Sequence, residues 1–406
     1  MQRIHSLEGG CRLLVQVESM IKAQQNRAIV AGALLYCSAS LIFYIVPAFL
    51  RSIARLYDAS PAQLGMLSAM EFWAIAAASL TGPLWINRFN WRTIARVGAA
   101  IALIGQVASL FVRDFDTLVI VRLLTGAFGE GLVLAVSYPV LAQSRHVERS
   151  FGLAYGATLV LSTVLIYASP LLDRLSGTVS LLLIMAVLFA ASFVAASFLP
   201  AGSGNSAEES QQEITASRPV SRGLIALTLA APTLWFAGAG GFWAFTGQIA
   251  AGNGLPDAQV ATSIAIGTGL AILGTLFAMT VGDRFGRRWP VVVSALAMSA
   301  LVFGVVQSGE FATLTVELAL FNISWASGTI FLIAAVCAVD ASGKVTVLLP
   351  AFQTIGMAFG TFILGHVIGD MGIAAVPWAV TGFLAAVLLA LFTTTAIQKF
   401  RLKQEA

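Results

Sequence analysis

Twelve apolar stretches, each about twenty residues or longer, follow one another along this 406-residue chain and restrict its fold to the membrane. A helix of that length spans the roughly 30 Å of hydrocarbon in a bilayer, because each residue adds about 1.5 Å. None of the stretches alternates with the period of two that a transmembrane strand requires, and lipid accepts only helices or closed barrels. The sequence therefore predicts an all-α membrane protein with 12 transmembrane helices, at residues 28–50, 62–85, 93–112, 117–142, 150–171, 177–199, 224–250, 258–281, 289–308, 313–339, 345–369 and 372–396.

The scarcity of charged residues excludes the soluble classes of protein. Charged residues make up 10% of the chain and hydrophobic residues 58%, whereas soluble domains carry about 25% charged residues. Soluble enzymes, nucleic-acid-binding proteins and disordered scaffolds are excluded on this ground. The 3 cysteines and 3 histidines are dispersed, without the spacing of a metal site or a catalytic pair. We therefore predict no enzymatic activity, no metal and no cofactor.

Lys and Arg residues are distributed unevenly between the two sides of the predicted membrane. When both termini are placed in the cytoplasm, 18 of the 23 basic residues lie on the cytoplasmic side and 4 on the other, with Arg122 inside a span. This bias also explains the net charge of +4 without nucleic acid. The positive-inside rule thus predicts a multi-pass protein of the plasma membrane, taken to be a bacterial inner membrane, with cytoplasmic termini. The four basic residues on the other side are Arg51, Arg55, Arg113 and Arg174.

One long polar connection, Pro200 to Arg222, divides the chain into two groups of six spans. The predicted organisation is a cytoplasmic tail at 1–27, a six-helix bundle at 28–199, a cytoplasmic linker at 200–223, a second six-helix bundle at 224–396 and a cytoplasmic tail at 397–406. In the first tail, residues 12–22 have one apolar face that suits the inner leaflet. The alternative is that the native chain starts at Met20.

The two groups of spans are related by an internal repeat. A shift of 196 residues aligns residues 62–63 with 258–259, 87–92 with 283–288, and 114–118 with 310–314. Three matches at one offset, each at the same place in a six-span half, are improbable by chance. We therefore predict two parallel six-helix halves related by a pseudo-two-fold axis along the membrane normal.

The loop after the eighth span, Asp283-Arg284-Phe285-Gly286-Arg287-Arg288, is similar to the loop signature of the major facilitator superfamily. Residues 121–129 of the fourth span, Val-Arg-Leu-Leu-Thr-Gly-Ala-Phe-Gly, resemble the Arg-containing fourth-helix motif of the same superfamily. The first-half counterpart of the loop departs from the signature, with Asn87 where an acid is usual and Asn90 where Gly is usual. The resemblance implies the superfamily's fold of two pseudo-symmetric halves, secondary transport by alternating access, and a cavity lined by spans one, four, seven and ten.

Charged residues of these two loops form a candidate conformational latch. A carboxylate at a helix end can pair with a guanidinium or a helix N-terminus of the other half in one access state and release it in the other. The alternative is that the arginines only fix the topology on anionic lipid. The candidate latch residues are Asn87, Arg88, Arg92, Asp283, Arg284, Gly286, Arg287 and Arg288.

Three charges lie deep within predicted spans, where each costs roughly 2.5–3.5 kcal/mol at a helix centre. Counted from the helix starts, Glu71 lies about 14 Å deep, Arg122 about 8 Å and Glu130 about 20 Å. We expect them to meet in a water-accessible hollow, where a carboxylate that pairs with Arg122 in one access state only takes up and releases a proton. These three are the proton-coupling candidates. The alternative is a static ion pair that fixes helix packing.

Aromatic and polar residues inside the spans are the candidates for substrate binding. They suit a pocket for a mostly apolar or aromatic solute, although Trp and Tyr near span ends also act as interface anchors. The candidates are Tyr36, Trp243, Gln248, Glu317, Asn322 and Trp325. Among them, Glu317 lies only about 6 Å inside its span.

These features favour a secondary transporter that moves a small organic solute by proton-coupled efflux, that is, antiport. Proton-coupled uptake by symport stays open, because the fifth span has Ala168-Ser169-Pro170 and lacks the Gly-Pro motif usual in the drug-antiporter branch. A non-transporting receptor or sensor with the same fold is the third possibility. No nucleotide-binding loop is present in the sequence. The predicted partners are the solute, the proton and the lipid bilayer, without nucleic acid, and the predicted oligomeric state is a monomer.

Overall fold

Twelve long helices make up the described part of the chain in this computed structural model, which covers residues 2–86, 88–144, 147–176, 178–200, 222–282, 284, 286, 288–339 and 348–405. They are α1 (Gln2–Tyr57), α2 (Pro61–Trp85), α3 (Trp91–Phe111), α4 (Phe115–Ala142), α5 (Val147–Ser176), α6 (Thr178–Ala195), α7 (Arg222–Gly252), α8 (Asp257–Val281), α9 (Arg288–Gln307), α10 (Phe311–Val339), α11 (Leu349–Met371) and α12 (Val376–Glu405). Short 3₁₀ turns follow α6 at Ala196–Phe198 and precede α12 at Ile373–Ala375.

Polar side chains fix the points at which several helices begin. Ser60 caps α2 in a reciprocal capping box with Gln63, and Asn90 accepts a hydrogen bond from the backbone of Arg92 at the start of α3. Asp114 caps α4 by accepting hydrogen bonds from the backbone N–H and the hydroxyl of Thr117, both over 2.9 Å. These bonds stabilise the carboxylate and hold the pKa of Asp114 below its usual range.

The internal repeat is visible in the positions of the helix starts. Helices α2 and α8 begin at Pro61 and Asp257, and α4 and α10 begin at Phe115 and Phe311. Both pairs are separated by the same 196 residues that relate the sequence motifs. The predicted repeat is therefore a repeat of helical structure.

The outer surface of the helix bundle is apolar, as a surface that faces lipid must be. In the described residues, 12 helices are long and apolar enough to cross a membrane. Large side chains such as Ile104, Val160 and Leu389 are 65%, 66% and 70% exposed. Lipid accommodates an apolar surface of this extent, whereas water disfavours it. The prediction of 12 transmembrane helices is confirmed.

The main differences from the predicted limits lie at the two ends of the chain. Helix α1 begins at Gln2 and so includes the predicted tail and its residues 12–22, and α12 continues to Glu405. A helix need not stop where the hydrocarbon stops, because the hydrophobic pattern marks only its buried length. Residues 201–221 of the predicted linker lie outside the described residues.

The six-helix halves α1–α6 and α7–α12 pack against each other through α1 with α7, α2 with α11, and α5 with α8. We call the end of the bundle where α1 stops and α2 starts the distal end, and the end that carries both termini the proximal end. Near the distal end the α2 and α11 backbones nearly touch. A Cβ atom on Gly65 would lie 2.5 Å from the carbonyl oxygen of Thr361, and one on Gly365 would lie 2.6 Å from that of Pro61. Only glycine permits this approach.

Candidate functional site

A π-helical turn at Gly126–Glu130 interrupts α4 between two of the buried charges. In an uninterrupted α-helix, residues eight apart point about 80° away from each other, because each residue turns the chain by about 100°. A π turn accommodates one extra residue, which reduces the angle between Arg122 and Glu130 to about 20°. The turn therefore places both side chains on one face of α4, towards α2 and α3.

The two carboxylates and the guanidinium form a hydrogen-bonded group with an amide from α3. Nη2 of Arg122 donates to Oε1 of Glu71 and lies 3.4 Å from Oε1 of Glu130. Nη1 of Arg122 donates to Oε1 of Gln106 over 2.8 Å, and Nε2 of Gln106 donates to Oε1 of Glu130 over 2.9 Å. We call these four residues the charge group. The meeting of Arg122 with both acids agrees with the sequence-based expectation, whereas Gln106 was not among the predicted residues.

The charge group is fully enclosed by protein. Glu71 is 1% exposed, and Gln106, Arg122 and Glu130 are 0% exposed. The Phe49 ring of α1 covers the guanidinium, with 5.4 Å between Cζ and the ring centroid. The expectation of a water-accessible hollow around these charges is therefore wrong for this structure, because close packing of α2, α3 and α4 leaves no room for solvent. Nε of Arg122 and Oε2 of Glu130 have no hydrogen-bond partner among the described residues.

Glycines make the tight packing around the charge group possible. A Cβ atom on Gly126 would lie 2.7 Å from the carbonyl oxygen of Glu71, and one on Gly129 would lie 2.7 Å from the backbone nitrogen of Ala102. Both contacts are with backbone atoms, which cannot swing aside as a flexible side chain does. The glycines of the fourth-span motif thus bring α2 and α3 close enough to α4 for their polar side chains to meet.

A separate cavity of about 400 Å³ lies between the two halves. Its lining comes from α1, α4 and α5 of the first half and from α7, α8, α10 and α11 of the second. The described residues that line it are Tyr36, Ser40, Phe43, Tyr44, Leu134, Tyr138, Tyr155, Leu159, Phe236, Trp243, Thr268, Ala271, Thr275, Asn322, Trp325, Ala326, Thr329, Ile330, Ile333, Pro350, Gln353, Thr354 and Met357. None of these side chains is charged.

Aromatic rings form both walls of the cavity. On the first-half wall, Tyr36 meets Tyr138 edge to face with 5.7 Å between centroids, and Tyr44 meets Tyr155 with 6.1 Å. On the second-half wall, Trp325 lies 5.9 Å from Phe236 and 6.3 Å from Trp243.

A hydrogen bond links the two walls of the cavity. The Trp243 indole N–H donates to the carbonyl oxygen of Tyr44 over 3.1 Å. Trp243 belongs to α7 and Tyr44 to α1, so this bond crosses between the halves beside the cavity.

Four of the six substrate-binding candidates line this cavity, namely Tyr36, Trp243, Asn322 and Trp325. The other two do not. Glu317 accepts a hydrogen bond from the Ser308 hydroxyl and packs against Gly304 of α9. Gln248 lies elsewhere on α7, and its amide N and O atoms are buried without a hydrogen-bond partner among the described residues. The structure therefore does not bring these two residues to the cavity, and their role in substrate binding stays a prediction.

Two tyrosines of the cavity, Tyr138 and Tyr155, were missed by sequence reasoning. The chain has only 6 tyrosines, and 4 of them line the cavity. Tyr138 lies four residues before the end of α4 at Ala142. Both lie near the ends of their predicted spans, where a tyrosine also serves as an interface anchor, so their position in the sequence does not separate them from the exposed Tyr167.

One layer of side chains separates the charge group from the cavity. Phe43 lines the cavity and lies 5.0 Å, centroid to centroid, from Phe72, the residue after Glu71. Leu134 lines the cavity one helical turn after Glu130.

Ion pairs join the halves at the distal end. Arg51 and Arg55 of α1 both donate to the carboxylate of Asp257 at the start of α8. Arg55 also lies 3.7 Å from Asp173 of α5, which accepts a hydrogen bond from the Ser52 hydroxyl over 2.7 Å. These contacts explain why two arginines stand on the side of the membrane that is otherwise poor in basic residues. They also close the cavity towards the distal end, together with the glycine contacts between α2 and α11.

The candidate latch is only partly described. Asn87, Asp283 and Arg287 lie outside the described residues. Arg92 donates to the carbonyl oxygen of Leu199 at the end of the same half, and Gly286 has a positive φ of 68°. Arg88 and Arg284 are exposed, and Arg288 begins α9 and is half-buried. The latch therefore stays a prediction.

Comparison with known proteins agrees with this architecture. A model of the Major Facilitator Superfamily matches residues 29–251. A D-xylose-proton symporter has a similar structure, with a TM-score of 0.68 and 16% identity over 92% of this chain and 97% of that chain. The nucleoside transporter NupG has a TM-score of 0.68 and 15% identity over 93% of this chain and 99% of that chain. The xylose transporter XylE from E. coli, in a partially occluded inward open conformation, has a TM-score of 0.72 and 14% identity over 91% of this chain and 98% of that chain. At these identities the likeness shows the fold alone.

Proposed function

Because the chain belongs to the major facilitator superfamily, we propose that it is a secondary transporter that exchanges a small organic solute for protons by alternating access. The observation that carries this proposal is the cavity between the two halves, which is closed towards the distal end by backbone contacts and ion pairs. A solute held there would be released at one membrane face and, after the halves rock, at the other. The fold belongs to a membrane transporter, and no enzymatic role is proposed.

The charge group supports coupling to protons. Two carboxylates and one guanidinium carry one surplus negative charge in a fully buried place, and binding of one proton would neutralise it. Glu130 is the better carrier, because Oε1 of Glu71 accepts a hydrogen bond directly from Arg122, while Oε2 of Glu130 has no hydrogen-bond partner among the described residues. We propose that rocking of the halves exposes Glu130 in one state and restores its contact with Arg122 in the other.

Exchange requires the proton and the solute to be held in alternation. The two sites are distinct but separated by one layer of side chains, so movement of α1 would affect both. Similarity to a D-xylose-proton symporter favours a second candidate function, in which the solute and the proton move in the same direction. A static Arg122–Glu71 pair without titration is the competing structural explanation.

The orientation and setting of the protein complete the proposal. The distribution of 18 basic residues against 4 supports cytoplasmic termini, so that the proximal end faces the cytoplasm of a bacterial inner membrane. On this orientation the contacts at the distal end would close the side of the membrane away from the cytoplasm, and we propose that the protein acts as a monomer. The latch at Asp283 and the arginines that follow it would then act at the cytoplasmic end.

Reconstituted vesicles with an internal pH dye test the function and its direction. A solute gradient imposed on vesicles without a pH gradient should drive a proton flux opposite to the solute under antiport and parallel to it under symport. A solute flux that moves no protons would contradict proton coupling. Binding of solutes without any flux would indicate a receptor.

A further inference from the structure

The absence of charge among the described residues that line the cavity restricts the solute. A charged solute loses its hydration on entering such a cavity and gains no countercharge in return. Glu71 and Glu130 do not line the cavity and both contact Arg122, so a cation bound in the cavity makes no direct ion pair with either carboxylate. Contacts of a cation with the aromatic rings offset only part of the lost hydration. An uncharged solute therefore suits the cavity best.

The two walls of the cavity differ in what they can bond. The first-half wall presents four phenol hydroxyls in two neighbouring pairs, Tyr36 with Tyr138 and Tyr44 with Tyr155. A hydroxyl is both donor and acceptor, so a pair whose members bond to each other still keeps one proton and free lone pairs for a solute. On the second-half wall, several donors are already used within the protein. Asn322 donates to the carbonyl oxygen of Leu318 over 2.9 Å, and Thr268 donates to that of Ile264 over 2.8 Å.

The same holds for the other polar side chains of the second-half wall that bond to main-chain carbonyls. Thr329 donates to the carbonyl oxygen of Trp325 over 2.8 Å, and Thr354 donates to that of Pro350 over 2.9 Å. The Trp243 indole N–H is used by the Tyr44 carbonyl. This wall therefore offers the faces of Trp243, Trp325 and Phe236, beside the polar side chains of Gln353 and Thr275.

We propose that the substrate is an uncharged solute with one flat apolar or aromatic face and one hydrogen-bonding edge. The flat face packs on the Trp243, Trp325 and Phe236 wall, where offset or edge-to-face contacts between rings are favourable. The polar edge bonds to the hydroxyls of Tyr36, Tyr138 and their neighbours. This inference rests on the proposed function only in that the bound solute is called a substrate. The binding site itself would exist without transport.

Two matched pairs of probes test the class by direct binding to the purified full-length protein. In the first pair, phenyl β-D-glucopyranoside is compared with phenyl β-D-glucuronide, which differs by a carboxylate. In the second, adenosine is compared with adenosine 5′-monophosphate. Phenyltrimethylammonium is the cationic probe, and D-glucose has the polar edge without the flat face. Calorimetric titration gives the dissociation constant, and thermal stabilisation checks it.

At least one neutral probe with a ring should bind at least about tenfold more tightly than its charged partner, than D-glucose and than phenyltrimethylammonium. Tyr138→Phe removes a hydroxyl with little change of volume and should weaken that binding roughly 2- to 10-fold. Tyr167→Phe is the matched control, because Tyr167 is 64% exposed on the outer surface. Equal or tighter binding of a charged probe, or binding by neither neutral ring probe, would overturn the proposal.

Failure of the substrate class and failure of the proposed function give different results. If a neutral ring probe binds in the expected order but crosses no vesicle membrane, the transport function fails and the binding class stands. If only charged solutes are transported, transport stands and the class fails. An unchanged affinity in Tyr138→Phe would contradict the proposed hydrogen bonds between the substrate and the tyrosines of the first-half wall.

Discussion

The contact between Gly65 of α2 and Gly365 of α11 gives a quantitative prediction about the access state. A Cβ atom on Gly65 would lie 2.5 Å from the Thr361 carbonyl oxygen, and one on Gly365 would lie 2.6 Å from the Pro61 carbonyl oxygen and 2.9 Å from Cα of Gly65. Ordinary contacts lie near 3.5 Å, so the two backbones must separate by about 1 Å. Gly365→Ala should therefore disfavour closure of the distal end.

The expected size of the effect follows from the cost of overpacking. Forcing an extra methyl group into a packed interface costs about 1–3 kcal/mol. If the contact is absent from the other access state, the whole cost raises the free energy of the state whose distal end is closed. The ratio of the two states should then change by a factor of about 5 to 150.

Cysteine labelling from each face of the membrane measures this shift. The background has Cys11, Cys37 and Cys337 replaced by Ser, and Ser40→Cys places one thiol in the cavity lining. A membrane-impermeant maleimide applied at the distal face should label this cysteine at least about fivefold faster when Gly365→Ala is present.

A glycine that has no close neighbour provides the control for this experiment. Gly156→Ala should leave the labelling unchanged, because nothing lies within 4 Å of a Cβ atom there. Folded Gly365→Ala protein with unchanged labelling from both faces would refute the argument that this contact closes the distal end.

Three further predictions concern the ion pairs and the charge group. Asp257→Asn removes the shared partner of the two distal arginines and should raise the rate of labelling from the distal face by a smaller factor, about 2 to 5, because these ion pairs are partly exposed. High salt should have the same effect as the substitution, because it screens the ion pairs. Gly129→Ala should lower the melting temperature of the purified protein, because its methyl group would meet a backbone nitrogen at 2.7 Å, whereas Gly152→Ala, with open space around it, should not. Arg122→Gln should lower the free energy of unfolding by about 3–5 kcal/mol, because it leaves buried carboxylates unpaired. Adding Glu71→Gln should restore part of this loss. If thermal unfolding of the double variant shows the simple sum of the two single losses, the residues do not form a coupled group.

The fold could be predicted from the sequence because the relevant signal is long and repeated. Apolar stretches that must cross a fixed thickness of lipid leave one type of element, and the 196-residue offset relates the two halves before any contact is known. The helix starts at Pro61 and Asp257 confirm that offset. The largest differences from the predicted limits lie at the ends of α1 and α12, since hydropathy does not report where a helix stops in water.

The candidate site was predicted only in part, and the reasons are physical. Glu71, Arg122 and Glu130 are conspicuous because buried charge is costly, but their enclosure depends on a π turn that hydropathy does not encode. Gln106 carries no charge, so nothing in its residue type marks it before its bonds to Arg122 and Glu130 are seen. In the same way, packing alone decides that Gln248 does not line the cavity.

The central claim is that the charge group couples movement of the solute to movement of protons. The most direct test measures solute accumulation driven by a pH gradient together with solute exchange in the absence of a gradient. In reconstituted vesicles, Glu130→Gln should abolish accumulation driven by a pH gradient and retain solute exchange without a gradient. Glu317→Gln, a membrane carboxylate outside both the cavity and the charge group, should retain both activities. Accumulation at the wild-type level in both Glu71→Gln and Glu130→Gln would contradict the account.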